Sequence, residues 1–367
     1  MSILLIDLIP STALLRRIIT IGLCLYAWNV RASSSDCRLG LPPAEESLSA
    51  PMAVEKRRAA LGQRLFRNRE LSKDGTVGCV TCHEPNHAFT DGHSQSRGVG
   101  GQTGTRNAPS LINVTYAPLT SWDGRRNVLE DQAMAPFTNP REHGLTNTAD
   151  LFKRLSANET TVRHFRRTFP GEEPPVSEAH IRISLGAYLR TLSAGGSPFD
   201  RYYYGREIKA LEEKAVEGLG LFTGRAGCTE CHLIKDNGAL LTDYQFHRIG
   251  IGMEQINPRL GTLTQELRRL NGRELDNRIF SDPSVAGLGR FLATRKPADI
   301  GRFRTPSLRN VAMTAPYMHD GSIATLPEAV EAELYYQGLK TGKPIALTPS
   351  EKQSLVSFLK ALTGCIP

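Results

Sequence analysis

Two short runs, Gly78-Cys79-Val80-Thr81-Cys82-His83 and Gly227-Cys228-Thr229-Glu230-Cys231-His232, have the residue types and spacing for covalent haem attachment. Two thiols about one helical turn apart can each bond a vinyl group of one porphyrin, and the histidine that follows offers its imidazole to the iron. Two copies predict two covalently bound haem c groups, one on Cys79, Cys82 and His83, the other on Cys228, Cys231 and His232. His83 and His232 are then the iron ligands. Four thiols in two pairs also suit one tetrahedral zinc ion, which is the alternative. Zinc requires neither the histidine after each pair nor an export signal, and this sequence has both.

The elements that must hold these runs read as helices. Over residues 52–68 the apolar positions Ala59, Leu61, Leu65 and Phe66 recur near helical spacing and lead into the first run, with Asp74-Gly75 marking a turn before it. Residues 148–155 and 178–192 have the same periodicity. Residues 211–221 lead into the second run, where Leu221-Phe222 echoes Leu65-Phe66. That echo predicts a mainly α fold of two cytochrome c-like haem domains with long loops, related by internal duplication. Residues 84–139, rich in Gly, Pro, Asn and Thr, read as a long structured loop that wraps a cofactor. Residues 250–296 read as variable loops. A last helix over 349–362 opens with Thr348-Pro349-Ser350-Glu351. The break Ser193-Ala194-Gly195-Gly196-Ser197-Pro198 places the division near residue 205, giving domains at 33–205 and 206–367.

A chain of 367 residues has room for two such domains. Its 22 prolines and 33 glycines are not gathered in one tract, which speaks against a long disordered region. The formal charge of +8 is spread along the chain, a basic surface suited to an acidic protein partner and not a nucleic-acid footprint. Residues 1–32 read as a secretory signal peptide: Arg16-Arg17, an apolar core up to Trp28, and a small-residue exit at Ala32. The core is short for a membrane span, and contact with a membrane is expected only if the leader stays uncleaved. Export places the mature protein in the periplasm. Of seven cysteines, four belong to the haem runs and Cys24 to the leader. Cys37 and Cys365 remain, either as a disulfide that ties the termini together or as two independent thiols.

Further runs carry a resemblance. Arg106-Asn107-Ala108-Pro109-Ser110-Leu111, Trp122-Asp123-Gly124-Arg125, Leu129-Glu130-Asp131-Gln132-Ala133, Asn139-Pro140-Arg141-Glu142 and the stretch from Phe303-Arg304-Thr305-Pro306 to Tyr317-Met318-His319-Asp320-Gly321-Ser322 resemble the bacterial di-haem cytochrome c peroxidases, including their MauG branch. The likeness runs from about residue 55 to 363. It implies that the first haem is the peroxide-reactive one and that the second stores and relays electrons. It makes Glu142 the distal acid-base group, with Gln132 and Pro136 in the same pocket, and puts Trp122 between the haems as a relay for oxidising equivalents. It also implies a calcium ion held by Asn107, Thr314 and Pro316, oxygen donors suited to a hard cation. Hydrogen peroxide is the implied oxidant. The implied partner is a small cytochrome c or cupredoxin donor, or a protein substrate. A non-catalytic di-haem electron carrier is the alternative function.

Two departures from that family's usual pattern bear on subtype. The loop Ser96-Arg97-Gly98-Val99-Gly100-Gly101 lacks the histidine that closes the first iron in typical members, so an open first site is expected, as in the MauG branch. His87 and His93 lie close by and read as surface residues. The helix after His319-Asp320-Gly321-Ser322 offers no methionine for the second iron. Counting from His319 favours Glu333 and the local Tyr-x-x-Gly pattern favours Tyr335, with Met318 a weaker candidate and an open position the remaining alternative.

Overall fold

The computed structural model describes residues 36–43, 51–270 and 272–367. The expected leader, with Cys24 and Trp28, lies outside the described residues. The helices that position the sites are α1 (Met52–Arg67), α2 (Leu129–Met134), α3 (Thr148–Ser156), α4 (Glu159–Thr168), α5 (Glu178–Thr191), α6 (Glu213–Thr223), α7 (Leu260–Leu267), α8 (Gly272–Ser281), α9 (Leu326–Thr341) and α10 (Pro349–Lys360). The protein is mainly helical; Phe246–His247 pairs antiparallel with Phe303–Arg304 in one short two-stranded sheet. None of the described helices is long and apolar enough to cross a membrane.

Helix α1 buries Leu61, Gly62, Leu65 and Phe66 on one face and packs against α5. The two backbones come close because residue 62 is glycine: a Cβ there would run into the Ser184 carbonyl and the Tyr188 side chain. Helices α6 and α10 repeat this contact, Gly218 facing the Ser354 carbonyl and the Phe358 side chain. In each case the helix leading into a Cys-x-x-Cys-His run is pinned by the glycine crossing. Gly218→Ala should therefore lower stability by about 1–3 kcal/mol through overpacking. Gly220→Ala, where a Cβ meets nothing within 4 Å, should be neutral or stabilising, and thermal melts of the two variants compare them directly. Equal melting temperatures would mean that the crossing is not tight.

Side-chain caps set the ends of the later helices. Thr325 and Glu328 form a reciprocal capping box at α9, and Thr348 and Glu351 do the same at α10. Helix α4, with Phe165 and Thr168 as its only buried residues, does not stand out as periodic in the sequence.

Apolar burial gathers into three clusters. The first joins residues of 61–194, among them Phe66, Phe89, Phe137 and Phe165, and Cys79 packs against it. The second joins residues of 199–362, including Phe199, Phe222 and Phe358, and Cys228 packs against it. The third corrects an expectation, because residues 250–296 are not variable loops. Leu263, Leu267, Leu275 and Ile279 have helical spacing and pack with Ile256 and Phe291 into a separate small core. Charged residues and scattered glycines hid that spacing in the sequence.

Cys37 and Cys365 are joined by a disulfide, their Cα atoms 5.6 Å apart. The Gly195 amide donates to the Cys37 carbonyl at 2.7 Å, and the Gly195 carbonyl accepts from the Cys365 amide at 3.0 Å, so Gly195 is held by both halves of the disulfide. Nearby, the buried Arg309 guanidinium pairs with buried Asp200. It also donates to the Gly40 carbonyl at 2.7 Å and to the Ala239 carbonyl, its Nε at 2.8 Å.

Candidate haem and redox sites

Cys79–Cys82 forms a single α-helical turn, and the His83 amide closes on the Cys79 carbonyl at 3.0 Å. Cys228–Glu230 forms a 3-10 turn, with the His232 amide on the Cys228 carbonyl at 2.9 Å. Each histidine ring is fixed in the same way. His83 Nδ1 lies 3.0 Å from the Phe89 carbonyl and His232 Nδ1 lies 2.8 Å from the Leu241 carbonyl. A carbonyl only accepts, so the proton sits on Nδ1 and the Nε2 lone pair is free for a metal. Phe89 and Leu241 have φ of 60° and 54°, a left-handed backbone that turns those carbonyls toward the rings.

The four motif thiols are free. Burial pushes Cys79, Cys82 and Cys228 up to about 12 and Cys231 up to about 11. Zinc takes thiolates, four from one shell. Here the two pairs belong to different cores, and among the described residues the group close enough to share a metal is Cys231, Asp243 and His247, not four cysteines. The zinc alternative fails on this arrangement. Cys79, Cys82, His83, Cys228, Cys231 and His232 are all half-buried, and Cys228, Cys231 and His232 face an internal hollow. At the second motif, unpaired thiols one turn apart, a free Nε2 and an apolar hollow together fit a covalently held haem; the first motif has the same thiols and free Nε2.

The hollow beside the second motif is lined by Cys228, Cys231 and His232, by Val330, Glu333 and Leu334 of α9, and by Trp122. Among the described residues Glu333 has no hydrogen-bond or ion-pair partner; its side chain is exposed to the open hollow, and desolvation by the surrounding protein pushes its carboxyl up to about 7. Of the two residues the sequence left open, Glu333 lines the cavity. Tyr335 does not: it is 62% exposed. Met318 also lines the cavity.

Glu142, the acid-base group that the resemblance implies, is carried by a turn. After α2 the chain makes a 3-10 turn over Ala135–Thr138, and the Pro136 carbonyl accepts the Asn139 and His143 amides, both at 3.2 Å. That turn presents Glu142, whose charge bears on both the Cys79 and the Cys82 thiols. Burial pushes the Glu142 carboxyl up to about 7, with the Arg125 guanidinium and Asn139 holding it back and Asp276 adding to the rise. Arg125 is itself shared: it pairs with Asp123 at 2.7 Å and Asp276 at 3.1 Å, and Asp276 also takes Arg126 at 2.9 Å. Asp276 belongs to α8, so the third core reaches into the field of the Glu142 carboxylate. No local pattern marks Asp276, because its partners lie about 150 positions away.

Gln132 Oε1 accepts from the Ser121 hydroxyl at 2.7 Å, next to Trp122 in the chain. The Trp122 indole donates to the Asn107 carbonyl at 2.9 Å. The Asn107 side-chain amide meets the Pro316 carbonyl at 3.0 Å, and Thr314 lines the same cavity. The same amide nitrogen also donates to the His93 carbonyl at 3.2 Å; the Pro316 carbonyl and the Asn107 side-chain oxygen are hard donors of the kind calcium takes. His87 is tied to Glu84 at 3.0 Å on the surface, and His93 is exposed.

Residues 56–208 match the family model for di-haem cytochrome c peroxidase. Cytochrome-c peroxidase IdrP1 of Denitromonas iodatirespirans is 34% identical, over 89% of this chain and 86% of its own length. Methylamine utilization protein MauG of Methylorubrum extorquens is also 34% identical, over 85% and 79%. Among solved structures, a MauG-like protein associated with microbial copper homeostasis superposes with a TM-score of 0.70 at 31% identity, covering 92% of this chain and 96% of that one.

Proposed function

Because this chain belongs to the di-haem cytochrome c peroxidase family, we propose that it is a periplasmic, MauG-like peroxidase with a reactive first site and an electron-relaying second site. Hydrogen peroxide reacts at the site of Cys79, Cys82 and His83. The oxidising equivalents pass by way of Trp122 to the site of Cys228, Cys231 and His232. The observation that carries this reading is Glu142, an enclosed carboxyl raised to about 7 beside the first motif.

A haem bound covalently at each motif supplies the redox-active iron. The rest of the work falls to side chains. Glu142 takes a proton from one peroxide oxygen and returns it to the other, so that water departs; a carboxyl poised near neutral pH can do both. Arg125, held between Asp123 and Asp276, keeps the carboxylate form from becoming inaccessible in its enclosed pocket. Phe89 and Leu241 hold the proximal imidazoles through their carbonyls. Trp122, anchored on the Asn107 carbonyl, keeps its indole at the edge of the second cavity, where it can lose and regain an electron. Glu333, on the lining of the second cavity, would offer a haem bound there an oxygen donor, and such a hard donor would lower the potential relative to a thioether. Asn107, Thr314 and Pro316 would hold calcium. The leader is removed on export, and the domains divide at 33–205 and 206–367. The electrons come from a small cytochrome c or cupredoxin, or from side chains of a protein substrate.

The test uses purified oxidised protein whose mass shows both haems. One equivalent of peroxide, with no donor present, should change the Soret band rapidly. An unchanged band would leave only an electron carrier.

A further inference from the structure

Tyr335 is exposed, yet its ring is not isolated. It stands 5.2 Å from the Tyr336 ring at 72°, an edge-to-face contact. The Tyr336 ring in turn packs on the backbone of Gly250, where a Cβ would come within 2.7 Å of it. Ile249, next to that glycine, lines the second cavity; so do Glu333 and Gln337, which flank Tyr336 along α9. The two phenols thus run from the back of the cavity wall to water. One turn beyond Tyr335, Leu339 is also 62% exposed and offers an apolar rest for another ring.

We propose that Tyr336 and Tyr335 form an outlet through which oxidising equivalents leave the second site for phenolic donors that rest on the outer face of α9 and never enter the cavity. The outlet rests on the peroxidase reading given above. In each step the Tyr335 O–H bond breaks, its proton goes to water, and its electron passes through Tyr336 to the second site, which peroxide has oxidised by way of the first. A phenolic donor then gives its hydrogen atom to the Tyr335 oxygen and leaves as a phenoxyl radical. Two such steps consume one hydrogen peroxide and release two waters.

Tyr203 supplies an internal control. It is 43% exposed and its ring lies 5.0 Å from that of Tyr204, but Tyr204 packs on Phe199 in the second core and does not line the cavity. The experiment treats the haem-loaded protein with one equivalent of peroxide and the radical trap 2-methyl-2-nitrosopropane, then maps adducts by peptide mass. The adduct is expected on Tyr335, and it should be lost in Tyr335→Phe/Tyr336→Phe and in Glu142→Gln. The double variant should keep the peroxide-induced Soret change but lose oxidation of a tyrosine tethered to dextran. An adduct on Tyr203 instead, or undiminished oxidation of the tethered phenol by the double variant, overturns the outlet alone. No Soret change in the unaltered protein overturns both the outlet and the peroxidase reading.

Discussion

Glu142→Gln should slow the reaction of the oxidised protein with peroxide by about 10²–10⁴-fold, the span that a positioned proton-transfer group contributes. The amide keeps the shape of the side chain and removes its ability to take a proton. In the unaltered protein the rate should have an acid limb. Glu142 titrates at about 7, raised first by burial, so the carboxylate that accepts the peroxide proton is present above that pH and lost below it. The rate should fall as pH drops from 8 to 5, and in Glu142→Gln the residual rate should be flat over that range. Stopped-flow measurement of the Soret change across pH checks both parts. A variant that retains the acid limb would move the titrating group elsewhere.

Arg309→Met should cost about 3–5 kcal/mol of folding stability, the range for removing one partner of a buried ion pair. Asp200 is 0% exposed and would be left as an unpaired buried charge, while the Gly40 and Ala239 carbonyls would lose their donor. Replacing Asp200 by Leu in the same chain should recover part of the loss, because no uncompensated anion then remains. Thermal unfolding followed by circular dichroism reads the single and double variants together. If Arg309→Met melts with the unaltered protein, the pair is not what ties the amino-terminal segment to the later core.

The sequence exposed best those features whose partners are close along the chain. The two Cys-x-x-Cys-His runs are complete within five residues, and the capped start of α10 within four, so both could be read without a fold. The field around Glu142 is different. Its carboxyl answers to Arg125 and to Asp276 on a helix more than 130 positions later, within a stretch that read as loops. The choice between Glu333 and Tyr335 was equally closed to sequence. The two residues lie two positions apart in a helical pattern, and only the path of α9 past the cavity puts Glu333 on its lining and leaves Tyr335 off it. The glycine crossings at 62 and 218 were invisible for a related reason. A glycine inside a helix weakens it when considered alone, and its purpose emerges only with the helix it lies against.

The bond between Cys37 and Cys365 has a consequence for the order in which the protein matures. Its two halves lie 328 positions apart, and all four motif cysteines fall between them. If the protein is exported and the leader with Cys24 removed, six thiols remain, and they admit many wrong partnerships, above all between residues close together in the chain. Thioether formation at both motifs would withdraw four of the six. A single pairing, Cys37 with Cys365, would then be left. Cofactor loading would therefore act as an editor of the oxidation step, and the closed ring as a seal on a chain already fully equipped.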